Sequence, residues 1–131
     1  MTNRIAKALE EYYRDELYDI ITAYTSMTGY RFKTMGSKKR LVSKLTTYLF
    51  YRYLTLPQVD VARFLNLSIG SVYLYVKEID SSKEDHIVYL RNKAVELASY
   101  SEYKIEETLC SDSKDHMIDT QINYLKSAYN D

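Results

Sequence analysis

The residues best suited to chemistry in this 131-residue chain are cations. Arg31, Lys33, Lys38, Lys39, Arg40, Lys44 and Arg52 fall within 22 positions, and no acid interrupts them. The flanking segments are acidic: residues 1–30 carry −2, residues 53–80 carry −1 and residues 81–131 carry −4, so the formal net charge of the whole is zero. Screening confines each charge to a radius of about 8–10 Å in physiological salt, so a local island, not the total, decides whether phosphates are attracted. Lys38, Lys39 and Arg40 also open a helix, where three cations oppose the macrodipole at about 0.3–1 kcal/mol each. An anion bound at that end relieves the penalty.

Other chemistry finds no constellation. His86 and His116 lie on different helices, beside Asp85 and Asp115, and read as two exposed helical histidines, not metal ligands. The three glycines are far apart and form no phosphate-cradling loop. Glu106 and Glu107 suit a solvated helix face, not an acid–base pair. Cys110, the only cysteine, allows no internal disulfide and reads as structural, with a reducing compartment expected. No catalytic residue, metal, cofactor or small-molecule substrate is expected. Without a signal-like or membrane-spanning apolar run, the expected setting is the cytoplasm, away from membranes.

The elements that must carry the cations are helical. Hydrophobic residues make up 46% and charged residues 27%, ordinary for a soluble domain able to bury a core, while a single proline and three glycines favour long helices. Fifteen tyrosines and no tryptophan suit a bundle with adhesive faces. Ile5, Leu9, Tyr12, Tyr13, Leu17, Ile20, Ile21 and Tyr24 recur at three- and four-residue steps, giving a helix from Asn3 to Thr25 that Gly29 ends. Tyr30–Ser37 reads as a basic loop. A helix from Lys38 to Tyr53 follows, through Leu41, Val42, Leu45, Tyr48, Leu49 and Arg52. Pro57 opens a short helix to Leu65, Asn66 and Leu67 turn, and Ser68 caps a helix ending near Ile79. After a connector at Asp80–Ser82, a helix over residues 83–109 (Ile87, Leu90, Ala94, Leu97, Ala98) breaks at Cys110–Ser113 before a last helix, Lys114–Tyr129.

The stretch Leu56–Ile79 meets the requirements of a helix-turn-helix. Close crossing of two short helices needs a small residue, and Ala62 supplies it. The turn needs a residue tolerant of positive φ, and Asn66 serves. The wedge needs aliphatics, which Val61, Leu65, Leu67, Val72 and Val76 provide. Gln58, Ala62, Leu65, Leu67, Ser68, Val72 and Lys77 resemble the commonest pattern of the helix-turn-helix DNA-binding superfamily, with Asn66 in place of the usual glycine and Tyr75 in place of an aliphatic. More loosely, the order of helix, basic loop, Ser37-Lys38-Lys39-Arg40 helix start and Leu56-Pro57 before the motif is similar to the C-terminal DNA-binding domain of the DnaA family of bacterial replication initiators. Where that family reads its box with Asp-His-Thr-Thr, this chain has Ser68-Ile69-Gly70-Ser71, and its 131 residues hold no ATPase module.

The resemblance implies that the second helix enters the major groove, presenting Ile69, Gly70, Ser71, Tyr73, Leu74 and Lys77, with Ser68 at its start and Gln58 at the start of the first helix able to reach a phosphate. With no Arg, Asn or Gln on that face, base readout is modest and phosphates carry most of the affinity. The expected site is therefore Arg31, Lys33, Lys38, Lys39, Arg40, Gln58, Ser68, Ile69, Gly70, Ser71, Tyr73 and Lys77, and the expected partner is double-stranded DNA. The expected fold is all-α, a multi-helix bundle with a central helix-turn-helix and a C-terminal helical hairpin. Residues 1–82 form the DNA-binding domain, and residues 83–131 form a hairpin that serves as an oligomerisation or partner region, with a homo-oligomer expected through it. The expected role is a transcriptional regulator or replication accessory factor of a phage, plasmid or bacterium. The competing roles are a DNA-packaging subunit like the phage small terminase and a protein-interaction module on the same fold.

Overall fold

Thr2 accepts a hydrogen bond from the Ile5 amide and so caps α1 (Asn3–Thr28), which Gly29 ends in the left-handed conformation (φ 71°). The computed structural model describes residues 2–30 and 38–112, with side chains as far as residue 99, and over these residues the fold is all-α. Four further helices follow: α2 (Lys38–Tyr48), α3 (Gln58–Leu65), α4 (Ile69–Ser81) and α5 (Asp85–Asp112). One apolar core runs through all five.

The inner stripe of α1 is the one its spacing predicts. Ile5, Leu9, Tyr13, Leu17 and Ile21 are buried, and Tyr12, Ile20 and Tyr24 are partly buried beside them. Each fully buried Leu or Ile contributes about 1.5–3 kcal/mol over an exposed one. α2 packs on both α1 and α4, which makes it the central element.

The helix expected to run unbroken to Tyr53 does not. Its last turn, Leu49–Tyr53, is π-helical, and the Leu54 amide closes it on the Leu49 carbonyl at 2.9 Å. Just upstream, the buried Thr46 and Thr47 hydroxyls donate to the carbonyls of Val42 and Ser43, 2.8 Å each, a back-bonding that loosens α-helical geometry. The wider turn changes which residues face inward. Phe50 and Leu54 enter the core, Phe50 edge-on to Tyr13 with centroids 6.0 Å apart, while Arg52 points to solvent. Thr55 follows at φ 59°, an uncommon conformation for a β-branched residue.

Pro57 lies one position outside α3 as its N-cap, extended at ψ 149°, and not in its first turn. Asn66 (φ 55°, ψ 49°) ends α3, and the Leu67 amide reaches back to the Ala62 carbonyl at 2.9 Å. α4 continues two residues past Ile79, so the connector is Ser82–Glu84. Arg91 of α5 donates to the Ile79 and Asp80 carbonyls at 3.1 and 3.3 Å, satisfying the C-terminal end of α4.

α5 runs through Cys110 to Asp112, where a break had been expected. Its inward residues Ile87, Leu90, Ala94, Leu97 and Ala98 belong to the common core, so the expected boundary after Ser82 falls inside continuous packing. The expected final helix Lys114–Tyr129 lies outside the described residues. His86 is not an exposed histidine. Its ring stacks on Tyr30 with centroids 3.7 Å apart, and Nδ1 shares a hydrogen bond with the Tyr24 hydroxyl. Tyr30 also donates to Glu84, and Tyr24 stacks on Tyr89, so an aromatic cluster ties the end of α1 to the start of α5. His116 lies outside the described residues. Among the described residues, no helix is long and apolar enough to cross a membrane.

Candidate nucleic-acid interface

Helix α4 divides cleanly between two environments. Val72, Val76 and Ile79, at steps of four and three residues, are buried against α2 and α3. On the opposite arc Tyr73 and Leu74 are 53% and 61% exposed, with Gly70 and Lys77 exposed beside them, while Ile69, the first residue of α4 on the side of Val72 and Val76, is 50% exposed. A side chain at Gly70 would meet nothing nearer than the Ser68 hydroxyl at 4.0 Å, so the fold leaves that spot open.

Two of the expected contact residues are engaged locally. Ser68 caps α4 by accepting from the Ser71 amide at 3.1 Å, and its own proton goes to the Ser71 hydroxyl at 2.8 Å. Ser71 is half-buried and keeps a proton to donate, whereas Ser68 works chiefly as a cap. Within the wedge, Val61, Ala62, Leu65, Val72 and Val76 are buried, and Leu67 is partly so.

The seven-cation island does not survive as one patch. Lys44 is buried, its side chain 8% exposed, and it pairs with Glu78 of α4 at 2.9 Å. Its position was legible, because it lies three residues after Leu41 and four before Tyr48, on the apolar side of α2. Arg52 pairs with Asp80 of α4, Nε lying 2.8 Å from Oδ2. Arg31 and Lys33 lie outside the described residues. Lys38, Lys39 and Arg40 remain at the start of α2, with Lys39 and Arg40 exposed and Lys38 reaching over the Tyr18 ring at 5.8 Å.

Grooves flank the exposed ridge of α4. One, of about 520 Å³, has Arg40, Leu74, Tyr75 and Lys77 in its walls together with the Lys44–Glu78 pair. A smaller recess beside it joins Lys39, Arg40, Ser43 and Tyr75. The other, a cleft of about 480 Å³, holds Tyr51, Arg52, Gln58, Tyr73 and Lys77 around Asp80. Lys77 lines both and so sits on the divide between them. The packing thus brings the start of α2, the outer arc of α4 and Gln58 of α3 onto adjoining surface. The helical pattern of the sequence did not point to Tyr51 or Tyr75 as groove residues, nor to the acids Glu78 and Asp80 that pair with Lys44 and Arg52.

Burial raises the Tyr48 phenol above its ordinary range, and the Asp80 carboxylate adds to the effect. Among the described residues, no three His, Cys, Asp or Glu side chains gather as metal ligands would. No protein-family model, curated protein or solved structure matches this chain.

Proposed function

We propose that this protein binds double-stranded DNA, with α3, the Asn66 turn and α4 acting as a helix-turn-helix and the start of α2 gripping backbone phosphates beside it. The observation that carries the reading is the adjoining surface: Tyr73 and Lys77 of α4 share one groove with Gln58 of α3, and Leu74 and Lys77 share the other with Arg40 of α2. A helix presented this way fits the major groove, its early residues toward bases and its later ones toward backbone. Ile69 would press on thymine methyls, Ser71 and Tyr73 would hydrogen-bond base edges, and Lys77 would hold a phosphate. The role is binding, not catalysis, in a regulator or replication accessory factor of a phage, plasmid or bacterium that self-associates through residues 83–131.

The test is anisotropy of a labelled mixed-sequence duplex across a salt series. Replacing Lys38, Lys39 and Arg40 together by alanine should weaken binding to every duplex alike. The slope of log K against log salt should become shallower by about 2–3 units, at about 0.9 per phosphate contact. An unchanged slope removes the start of α2 from the interface.

One observation favours a second reading. Val59, Ile69, Tyr73 and Leu74 leave more apolar area on α3 and α4 than phosphate contacts need. In a packaging or protein-interaction role that ridge is a subunit interface. Tyr73→Ala and Leu74→Ala would then dissociate the oligomer, seen by light scattering, and leave any DNA affinity intact.

A further inference from the structure

We propose that the cleft between the π-turn and α4 is a phosphate site, and that in the free protein its anion is the chain's own Asp80 carboxylate. The proposal rests on the DNA-binding reading and deepens it, because the phosphate it would take is a backbone phosphate of the duplex. Arg52, a member of the basic island that the expected site left out, is the central residue of the cleft.

The cleft has an apolar wall that includes Val76, and donors stand along it. Tyr51, Arg52, Gln58, Tyr73 and Lys77 each bring an N–H or O–H group, and Asp80 is the one acid beside them. Arg52 turns both Nε and Nη2 to a single oxygen, Oδ2, of Asp80. A guanidinium fork converging on one oxygen leaves its other donors free for a tetrahedral anion, which offers more acceptors than a carboxylate. Each cation lies over an aromatic ring, Arg52 at 5.2 Å from the Tyr51 centroid and Lys77 at 5.7 Å from that of Tyr73. The rings hold the cations at the cleft when the carboxylate leaves. With two cations facing one acid, the cleft carries unbalanced positive charge even while Asp80 occupies it.

Exchange is cheap because the pair is wet. The Arg52 side chain is 52% exposed and that of Asp80 32%, and exposed pairs contribute only about 0.2–1 kcal/mol. Two ties anchor the carboxylate's own backbone: Arg91 holds the Asp80 carbonyl, and α4 continues to Ser81. Swinging the Asp80 side chain away therefore leaves the helix in place. Phosphate enters where carboxylate leaves, and the arginine keeps an anionic partner throughout.

The experiment uses the full chain, the labelled duplex and the same salt series, with Asp80→Asn, Arg52→Gln and the double variant checked for fold by circular dichroism. Asp80→Asn is expected to tighten binding about two- to fivefold, the worth of the displaced exposed pair. Arg52→Gln should weaken binding and make the salt slope shallower by about 0.9. In the Arg52→Gln background, Asp80→Asn should give no gain. Should Arg52→Gln fail to fold, Arg52→Lys keeps the charge, loses the fork and is expected to lower affinity. Equal tightening by Asp80→Asn in both backgrounds overturns the proposal, since it reports only general repulsion between acid and DNA. No tightening in either background overturns it too, leaving the pair as a clamp and DNA binding intact. If the wild-type chain binds no duplex, the DNA reading itself fails. The cleft is then read by titrating inorganic phosphate into Asp80→Asn and following the Arg52 Nε–H signal by NMR. A shift preserves an anion site for small phosphates, and none overturns it.

Discussion

Two ion pairs join the α2 segment to α4, and they differ in nearly everything but their chemistry. Lys44–Glu78 sits against the core with the lysine side chain 8% exposed, whereas Arg52–Asp80 lies at the surface with the arginine 52% exposed. A buried ammonium has no water to fall back on, so it is bound to its partner whatever the surroundings. An exposed guanidinium trades one anion for another at little cost. The first pair is therefore part of the architecture, and the second can exchange partners at little cost. Helical spacing places Lys44 on the apolar side of α2, but it carries no record of the acid that each cation meets.

The comparison breaks most readily at Glu78. Glu78→Gln should destabilise the protein by about 2–3 kcal/mol in urea unfolding, below the range for a fully buried pair because the Glu78 side chain is 39% exposed. Replacing both partners, Lys44→Met with Glu78→Gln, should recover most of that loss, since no charge is left stranded. If the double variant is no better than the single, Lys44 is not held by Glu78 alone. A smaller effect is expected at the other pair: Asp80→Asn should change stability by less than about 1 kcal/mol. A larger loss would place both pairs in the same class and undo the distinction.

The smallest expected effect is a titration. Burial first, and Asp80 second, keep the Tyr48 phenol protonated beyond its ordinary value of 10.0. In the unfolded chain the phenol ionises first, so its contribution to stability is full below pH 10 and falls away as pH rises through the raised folded value. Asp80→Asn should move the Tyr48 transition, followed by ultraviolet absorbance at alkaline pH, back toward the ordinary value. No movement would mean that burial acts alone.

Much of the fold was legible because it rests on periodicity and capping, which are local. The stripe of α1, the Gly29 stop, the Asn66 turn and the Ser68 cap follow from residue type and spacing. The π-turn was not legible. Nothing in Leu49–Tyr53 differs in kind from an α-helical sequence, and the loosening arises from Thr46 and Thr47 acting on carbonyls behind them. The reading at Cys110 failed because residues poor in helix propensity sit in a helix that runs on for two more positions, and propensity is a weak prior. For the candidate site, helical spacing made the exposure of Tyr73, Leu74 and Lys77 on α4 legible. The neutralisation of Lys44 and Arg52 was not, because Glu78 and Asp80 are 34 and 28 residues away and meet them only through packing. Ser68 and Ser71 were assigned outward, and their mutual hydrogen bond shows that a cap and a contact compete for one hydroxyl.

A π-turn has the geometry of a single residue inserted into an α-helix. Here that one residue sets the register of everything from Phe50 to the start of α3. Deleting a codon between Leu49 and Tyr53 would turn the following side chains by about 100° relative to α2. With Tyr51 deleted, Leu54 would leave the core and Arg52 would leave Asp80 in the same event. Core and cleft thus share one frame and cannot drift separately. Relatives in which α2 runs on as an unbroken α-helix are expected to lack the arginine and the facing aspartate together, and relatives that keep one are expected to keep the other.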